Sequence, residues 1–149
     1  MRKAMLFVMI AALAGSASAQ LPGLRKRGPV LPAPPVLLGI DALRADFIAR
    51  SGADTVYFGS DSAALGLPAK ATLAAQAQWL LQHPEVLVRI EGHADPSDTR
   101  DHALAVGARR AVEVRDYLVL LGVPAEQLSA TSWGKERPGA GRAVTVLVR

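Results

Sequence analysis

The spacing of apolar residues changes several times along the chain and predicts alternating strands and helices. Val86, Val88 and Ile90 recur at every second position, which is the period of a β-strand. From Leu104 to Leu121 the apolar residues recur every three or four positions, as on a helix, and Gly122 suits the left-handed cap that follows. The same reasoning predicts a leading helix within residues 36–52, strands at Asp54–Phe58, Leu128–Trp133 and Val144–Val148, and a helix from about Pro68 with Leu73, Ala77, Leu80 and Leu81 on its apolar face.

The predicted order after the leading helix is β-α-β-α-β-β. Strands that alternate with helices and end in a consecutive pair are typical of an α/β sandwich, in which the helices pack on one face of a mixed sheet. The sequence has 149 residues, half of them hydrophobic, and this predicts one globular domain at residues 53–149.

The N-terminal part of the chain has the composition of export and spacer segments. An apolar run from Ala4 to Leu13 follows a short basic start, and Ala17-Ser18-Ala19 offers a cleavage site, so residues 1–19 are predicted to be a secretory signal peptide. A membrane anchor is the alternative, although the run is shorter than the roughly 20 residues that a span requires. Residues 20–35 contain five prolines and are predicted to form a semi-rigid linker.

Charge and cysteine content narrow the classes of function. Removal of Arg2 and Lys3 with the signal peptide would lower the formal net charge from +4 to +2, which weakens the case for nucleic-acid binding. The linker cluster Arg25-Lys26-Arg27 is expected to be solvated, with contact to anionic lipid or wall polymer as the alternative. The sequence has no cysteine, so we expect neither lipid attachment through cysteine nor a disulfide.

Asp95 and Arg110 are the strongest candidates for a binding site. The segment Arg89–Asp95 places a carboxylate just past an apolar strand, and Arg110 lies 15 residues later on the helix that follows. A carboxylate binds an ammonium group, and a guanidinium binds a carboxylate through two parallel hydrogen bonds. The pair therefore suits a zwitterionic ligand.

Helical geometry separates the adjacent residues Arg109 and Arg110. With about 100° between successive residues, Arg109 lies almost opposite the apolar stripe that faces the sheet. Arg110 lies about 85° from the centre of the stripe, which predicts a position between core and solvent, within reach of Asp95 across the end of the sheet. The stripe comprises Leu104, Gly107, Ala111, Val114, Leu118 and Leu121.

Four segments follow one another in an order that is more specific than any one of them alone. They are Tyr57–Leu65, Glu91–Asp95, Gly107–Ala111 and Ser132–Pro138, and Arg142 follows them before the final strand. Together they resemble the motifs of the OmpA-like C-terminal domain family, which includes the peptidoglycan-associated lipoproteins. The resemblance covers about Asp54 to Val148, and the lipobox cysteine of the lipoprotein group has no counterpart here.

The resemblance implies a non-enzymatic protein that binds peptidoglycan without a covalent bond and so tethers or organises the cell envelope. In that family the residues matching Asp95 and Arg110 hold the amino-acid end of diaminopimelate in the stem peptide. The ligand site is then expected at the end of the sheet, with Asp61, Thr99 and Ala103 beside it and helix N–H groups facing a ligand carboxylate. The implied location is the periplasm at the cell wall, with the outer membrane as a further place of attachment.

Three positions near this site depart from the family pattern. Gly59 stands where Asp is frequent, Asp98 where Gly is usual and Ala103 where Asn is usual. Asp98 adds negative charge where a ligand carboxylate would approach, and Ala103 removes a polar side chain. These departures leave open an alternative, in which a degenerate domain serves as a structural or adaptor module for a protein partner.

Catalysis is the rival class of function and has little support. His93 and Asp95 project in the same direction from a strand end, and Asp98 or Asp101 offers a third metal ligand, but the spacing matches no known metal motif. The sequence contains no nucleophile elbow, phosphate-binding loop or dinucleotide fingerprint. We therefore expect no cofactor, a structural His93 bonded to local backbone, and His102 at the surface.

Overall fold

The computed structural model describes residues 39–138 and 141–148. The predicted signal peptide at 1–19, the predicted linker at 20–35 and residues 36–38 of the leading segment lie outside the described residues. The described helices and strands are α1 Ile40–Ser51, β1 Thr55–Tyr57, α2 Leu67–Gln82, β2 Val88–His93, α3 Arg100–Leu120, a 3-10 turn at Ala125–Gln127, β3 Leu128–Gly134 and β4 Arg142–Leu147.

The four strands form one sheet in the order β1-β4-β2-β3. Strand β2 is central, parallel to β3 and antiparallel to β4, and β4 is antiparallel to β1. In the middle of β2, Ile90 is paired with Ala130 of β3 on one side and with Thr145 of β4 on the other. The predicted α/β sandwich with a mixed sheet is confirmed.

The helices cover one face of the sheet, and the strands alternate accordingly. Val88 and Ile90 of β2 are buried beneath the helices, together with Ala143, Thr145 and Leu147 of β4. The predicted alternation of valines in β4 is present on the other face, where Val144 and Val146 are half-buried. The period of two identified the strand, but Ala143, Thr145 and Leu147 face the core instead of the alternating valines.

Helix α1 packs against α2 through aromatic side chains. The rings of Phe47 and Trp79 meet edge to face with centroids 5.1 Å apart, and the Trp79 indole donates a hydrogen bond to Asp46 (2.8 Å). Gly52, at φ 81°, ends α1 in the left-handed conformation. Leu81, which was predicted on the apolar face of α2, is instead 48 % exposed.

Helix α3 begins at Arg100, four residues before the predicted start. Thr99 caps it, since its hydroxyl accepts the N–H of His102 at 3.4 Å. At the other end Gly122 has a φ of 99°, in agreement with its predicted role as the cap. In the described part of the chain, no helix has the length and apolar character needed to cross a membrane.

Candidate functional site

Two glycines bring helix α3 close to the central strand. A Cβ on Gly107 would lie 2.8 Å from the carbonyl oxygen of Gly92, and a Cβ on Gly92 would overlap the carbonyl group of Gly107. Backbone therefore packs directly on backbone at this crossing, which a larger residue would prevent. Arg110 follows one turn later, where α3 passes the end of β2.

Arg110 is fully buried at the end of the sheet. Its guanidinium donates three hydrogen bonds to backbone carbonyls, from Nε to Ser62 (2.8 Å), from Nη1 to His93 (2.7 Å) and from Nη2 to Gly59 (2.8 Å). The ring of Phe58 lies alongside, with its centroid 5.4 Å from Cζ. The predicted position of Arg110 between core and solvent was therefore wrong.

The seating of α3 on the sheet explains this error. Leu104 and Leu121, which defined the two ends of the predicted stripe, are only half-buried. The close glycine crossing brings the side chains flanking it into the core as well, and the buried arc shifts towards Arg110. Arg109 is exposed, as predicted. The buried residues of α3 are Ala103, Val106, Gly107, Arg110, Ala111, Val114 and Leu118.

Three carboxylates act electrostatically on the buried guanidinium. Burial lowers the pKa of Arg110, whereas the negative charges of Asp95, Asp61 and Asp98 raise it. The side chain remains a cation because an arginine does not lose its proton in proteins. Asp95, Asp61 and Asp98 therefore lie close enough to Arg110 to act on its charge.

The guanidinium keeps unused hydrogen-bonding capacity. Its bonds to described residues occupy three of the five N–H groups that an arginine carries. One N–H on Nη1 and one on Nη2 are left, on the two nitrogens that together grip a carboxylate in bidentate pairs. The arrangement can therefore bind one carboxylate, provided that the ligand reaches these nitrogens.

The loop after β2 presents Asp95 beside this group. Asp95 is half-buried, and its backbone carbonyl accepts the N–H of Asp98 at 3.3 Å in a tight turn. The turn therefore uses the main chain of Asp95 and not its carboxylate. Lys135 holds the far end of the loop by donating to the carbonyl of Asp98 (2.6 Å).

Two other predicted site residues, Thr99 and Ala103, take part in the structure of α3 and its packing. Thr99 is exposed, but its hydroxyl caps α3. Ala103 is fully buried in a small apolar cluster with Ala94 and Val106. The side chain of Ala103 therefore faces the core, and its place beside the ligand stays a prediction.

His102 contacts the candidate site, which the sequence reading missed. Its Nε2 lies 2.8 Å from a carboxylate oxygen of Asp61, and both side chains are partly exposed. Asp61 has a φ of 50°, a left-handed conformation that aspartate tolerates better than most residues. The two residues are 41 positions apart, and no short-range pattern signals such a contact.

His93 is buried on the sheet face opposite the helices. Burial lowers its pKa, Arg142 and Arg137 lower it further, and Glu91 opposes them. Its backbone carbonyl accepts a bond from Arg110, and a hydrogen bond with the backbone of Arg137 raises its pKa. Its Nδ1 has no partner among the described residues. Beside it, Glu91 pairs with Arg89 (2.8 Å) and Arg137 (3.3 Å). No cluster of potential metal ligands occurs in residues 39–138 and 141–148.

An apolar cavity of about 210 Å³ lies between β1 and the start of α2. Val56, Tyr57 and Pro68 contribute to its lining, but none of the residues bonded to Arg110 does. The cavity carries no charged side chain. The chemistry of the site therefore points to Arg110 and its carboxylates rather than to this cavity.

The region that matches a known protein family coincides closely with the folded domain. Residues 57–146 match the OmpA family. This chain belongs to that family. The match begins at the last residue of β1 and ends within β4, so that it includes β2, β3 and every residue bonded to Arg110.

The curated relatives extend beyond the matched domain. The chain is 46% identical over 113 residues to the peptidoglycan-associated lipoprotein of Rhizobium meliloti (strain 1021), covering 68% of this chain and 64% of that one. It is 47% identical over 95 residues to the peptidoglycan-associated lipoprotein of Mesorhizobium japonicum, covering 64% and 56%. The chain thus spans less than two thirds of the length of these relatives.

Solved structures agree with the fold. The crystal structure of the peptidoglycan-associated lipoprotein from Burkholderia pseudomallei is 36% identical and has a TM-score of 0.63, covering 65% of this chain and 92% of that one. A MotB-like protein from Desulfovibrio vulgaris has a TM-score of 0.60 at 20% identity, covering 74% and 93%, which supports the fold alone. The mixed α/β architecture is therefore shared well outside the near relatives.

Proposed function

We propose that this domain binds peptidoglycan without a covalent bond and holds the zwitterionic end of diaminopimelate in the stem peptide. Membership of the OmpA family and the similarity to proteins named peptidoglycan-associated lipoproteins support peptidoglycan as the ligand. The role is that of a non-enzymatic binding module in the periplasm, at the cell wall, which tethers or organises the envelope.

The arrangement of opposite charges around Arg110 carries the finer part of the proposal. The free end of diaminopimelate has one carboxylate and one ammonium group on the same carbon. The carboxylate would take the remaining N–H groups on Nη1 and Nη2 of Arg110, and the ammonium would meet Asp95, with Asp61 close by. Asp98 adds a third negative charge near Arg110.

Burial makes this pairing selective. In a site of low effective dielectric an ionic hydrogen bond is stronger, and an unpaired charge costs more, than in water. Lysine occupies the same place in some stem peptides and carries the ammonium but not the second carboxylate. Binding of a lysine-type peptide would therefore leave the guanidinium without its partner, which predicts discrimination in favour of diaminopimelate.

Sedimentation with insoluble peptidoglycan tests the proposal. The protein should sediment with diaminopimelate-type peptidoglycan and far less with lysine-type peptidoglycan. Asp95→Asn should remove most of this binding, because the loss of one partner of a partly desolvated charge pair costs about 2–5 kcal/mol. Asp101→Asn is the matched control, since Asp101 is an exposed carboxylate in the first turn of α3.

Failure would have a clear form. Equal sedimentation of the parent and Asp95→Asn would place the ligand elsewhere on the domain. Absence of sedimentation with either peptidoglycan would favour the adaptor module, in which the fold is kept for a protein partner.

A further inference from the structure

The remaining N–H groups of Arg110 are closed off from solvent. Arg110 is fully buried, although the turn that covers it is exposed at Gly59, Ser60 and Asp61. A ligand carboxylate can reach Nη1 and Nη2 only if part of the cover moves away. Access therefore depends on whether any of the groups bonded to the guanidinium can move.

The three carbonyls bonded to Arg110 differ in mobility. His93 is the last residue of the central strand β2, and its displacement would break the pairing with β3. Gly59 and Ser62 belong to the turn that follows β1, and the N–H of Ser62 bonds back to the carbonyl of Gly59 at 3.2 Å. Withdrawal of this turn frees Nε and Nη2 while the sheet remains intact.

Besides the two bonds from Arg110, one contact of a turn side chain fastens the turn to α3. Among the described residues, Asp61 is the turn residue whose side chain reaches another element, through the 2.8 Å contact with His102. Asp61 has positive φ, so this contact holds a backbone conformation that is locally unfavourable. The pair is partly exposed, with side-chain exposure of 43% for His102 and 63% for Asp61, which makes it easy to break.

We propose that His102 is a positioning residue, which holds the Gly59–Ser62 turn closed over Arg110 through Asp61 and so sets how readily Arg110 receives the carboxylate of diaminopimelate. This inference rests on the proposed function. When the pair opens, the turn withdraws, Arg110 becomes accessible, and Asp61 is released to face the ligand ammonium. The apparent affinity is then the intrinsic affinity multiplied by the open fraction.

The size of the effect follows from the exposure of the pair. An exposed polar contact shifts an equilibrium by a small amount, so His102→Ala should raise the open fraction about two- to fivefold. The same factor should appear in two independent rates. One is the exchange with water of the Arg110 Nε–H, which the Ser62 carbonyl protects, and the other is the association of the stem peptide.

The experiment compares three variants of the full chain. His102→Ala removes the contact, and His102→Gln restores a hydrogen-bond donor of similar reach. Arg100→Ala is the control, because it breaks another exposed ion pair of the first turn of α3, that of Arg100 with Glu136 at 3.1 Å, without touching the turn over Arg110. Exchange of the Arg110 Nε–H is measured by NMR without ligand, and association by stopped flow with a diaminopimelate-containing stem peptide.

The expected result is faster exchange and faster association in His102→Ala, with His102→Gln and Arg100→Ala close to the parent. Unchanged exchange in His102→Ala would overturn the inference, as would faster exchange with unchanged association in a protein that binds. If no variant binds the peptide and neither does the parent, the proposed function fails and the gating falls with it. If the parent binds the peptide and His102→Ala changes neither rate, only the inference about His102 is rejected and the proposed function stands. The two failures are therefore distinguishable.

Discussion

Gly107 of α3 lies directly on Gly92 of β2, backbone against backbone. This contact fixes the distance between helix and strand at the point where the next turn of the helix delivers Arg110 to the end of the sheet. The packing of two residues without side chains thus determines the position of the only guanidinium among the described residues that bonds three backbone carbonyls.

The close contact of Gly107 with Gly92 predicts that replacing Gly107 by alanine lowers the stability of the protein instead of raising it. Gly→Ala in a helix interior ordinarily gains up to about 1 kcal/mol. Gly107→Ala should instead lower the free energy of unfolding by about 1–3 kcal/mol, because the new methyl group would be forced against the Gly92 carbonyl and Ser132. Urea unfolding measures this. Gly59→Ala is the control, since its Cβ would meet only the Cβ of Ser62 at 3.8 Å. Increased stability of Gly107→Ala would contradict the close crossing.

The two adjacent arginines should differ sharply in their effect on stability. Arg110→Lys keeps the charge, but an ammonium cannot satisfy three carbonyls that are arranged around a planar fork. Each buried acceptor left unpaired costs about 1–3 kcal/mol. Arg109→Ala, at an exposed position, should stay within about 0.5 kcal/mol of the parent. Thermal unfolding of the two variants is the measurement. Similar losses in both would mean that the assignment of helix faces is wrong.

Stability should fall under mildly acidic conditions because of His93. Its pKa is lowered in the folded state, first by burial and then by Arg142 and Arg137, so the unfolded chain takes up the proton first. The contribution of neutral His93 to the free energy of unfolding should therefore be fully present above the unfolded-state pKa of about 6.5. It should be lost progressively as the pH falls below that value, by at most about 1.4 kcal/mol per pH unit. His93→Gln should flatten this dependence. Urea unfolding of parent and variant between about pH 5.5 and 7.5 checks it. An identical slope in both would rule out His93 as the cause.

Restoration of the family's usual asparagine at position 103 should be harmful. Ala103 is fully buried against Ala94 and Val106, so Ala103→Asn would force a polar amide into an apolar cluster. A loss of about 1–3 kcal/mol is expected for such overpacking. Ala105→Asn, on the exposed side of the same helix, provides the matched control. If Ala103→Asn is as stable as the control and strengthens binding to stem peptides, position 103 faces the ligand after all.

The order and type of the helices and strands could be predicted from the sequence alone. The period of two in Val86, Val88 and Ile90 and the helical repeat after Leu104 follow from backbone geometry, which any sheet or helix imposes locally. Gly122 marked the end of α3 because few other residues adopt positive φ. The motif around Asp95 and the later Arg110 indicated the site, and Arg109 was assigned to solvent from helical geometry alone.

Tertiary structure decided what those local patterns leave open. The depth of Arg110 depends on how closely α3 sits on β2, and the start of α3 depends on the Thr99 cap within a loop whose course the sequence does not specify. The contact of His102 with Asp61 joins residues 41 positions apart, and the burial of His93 depends on side chains from other strands. Periodicity reports which side of an element is apolar, whereas the distances between elements arise from the packing of all of them at once.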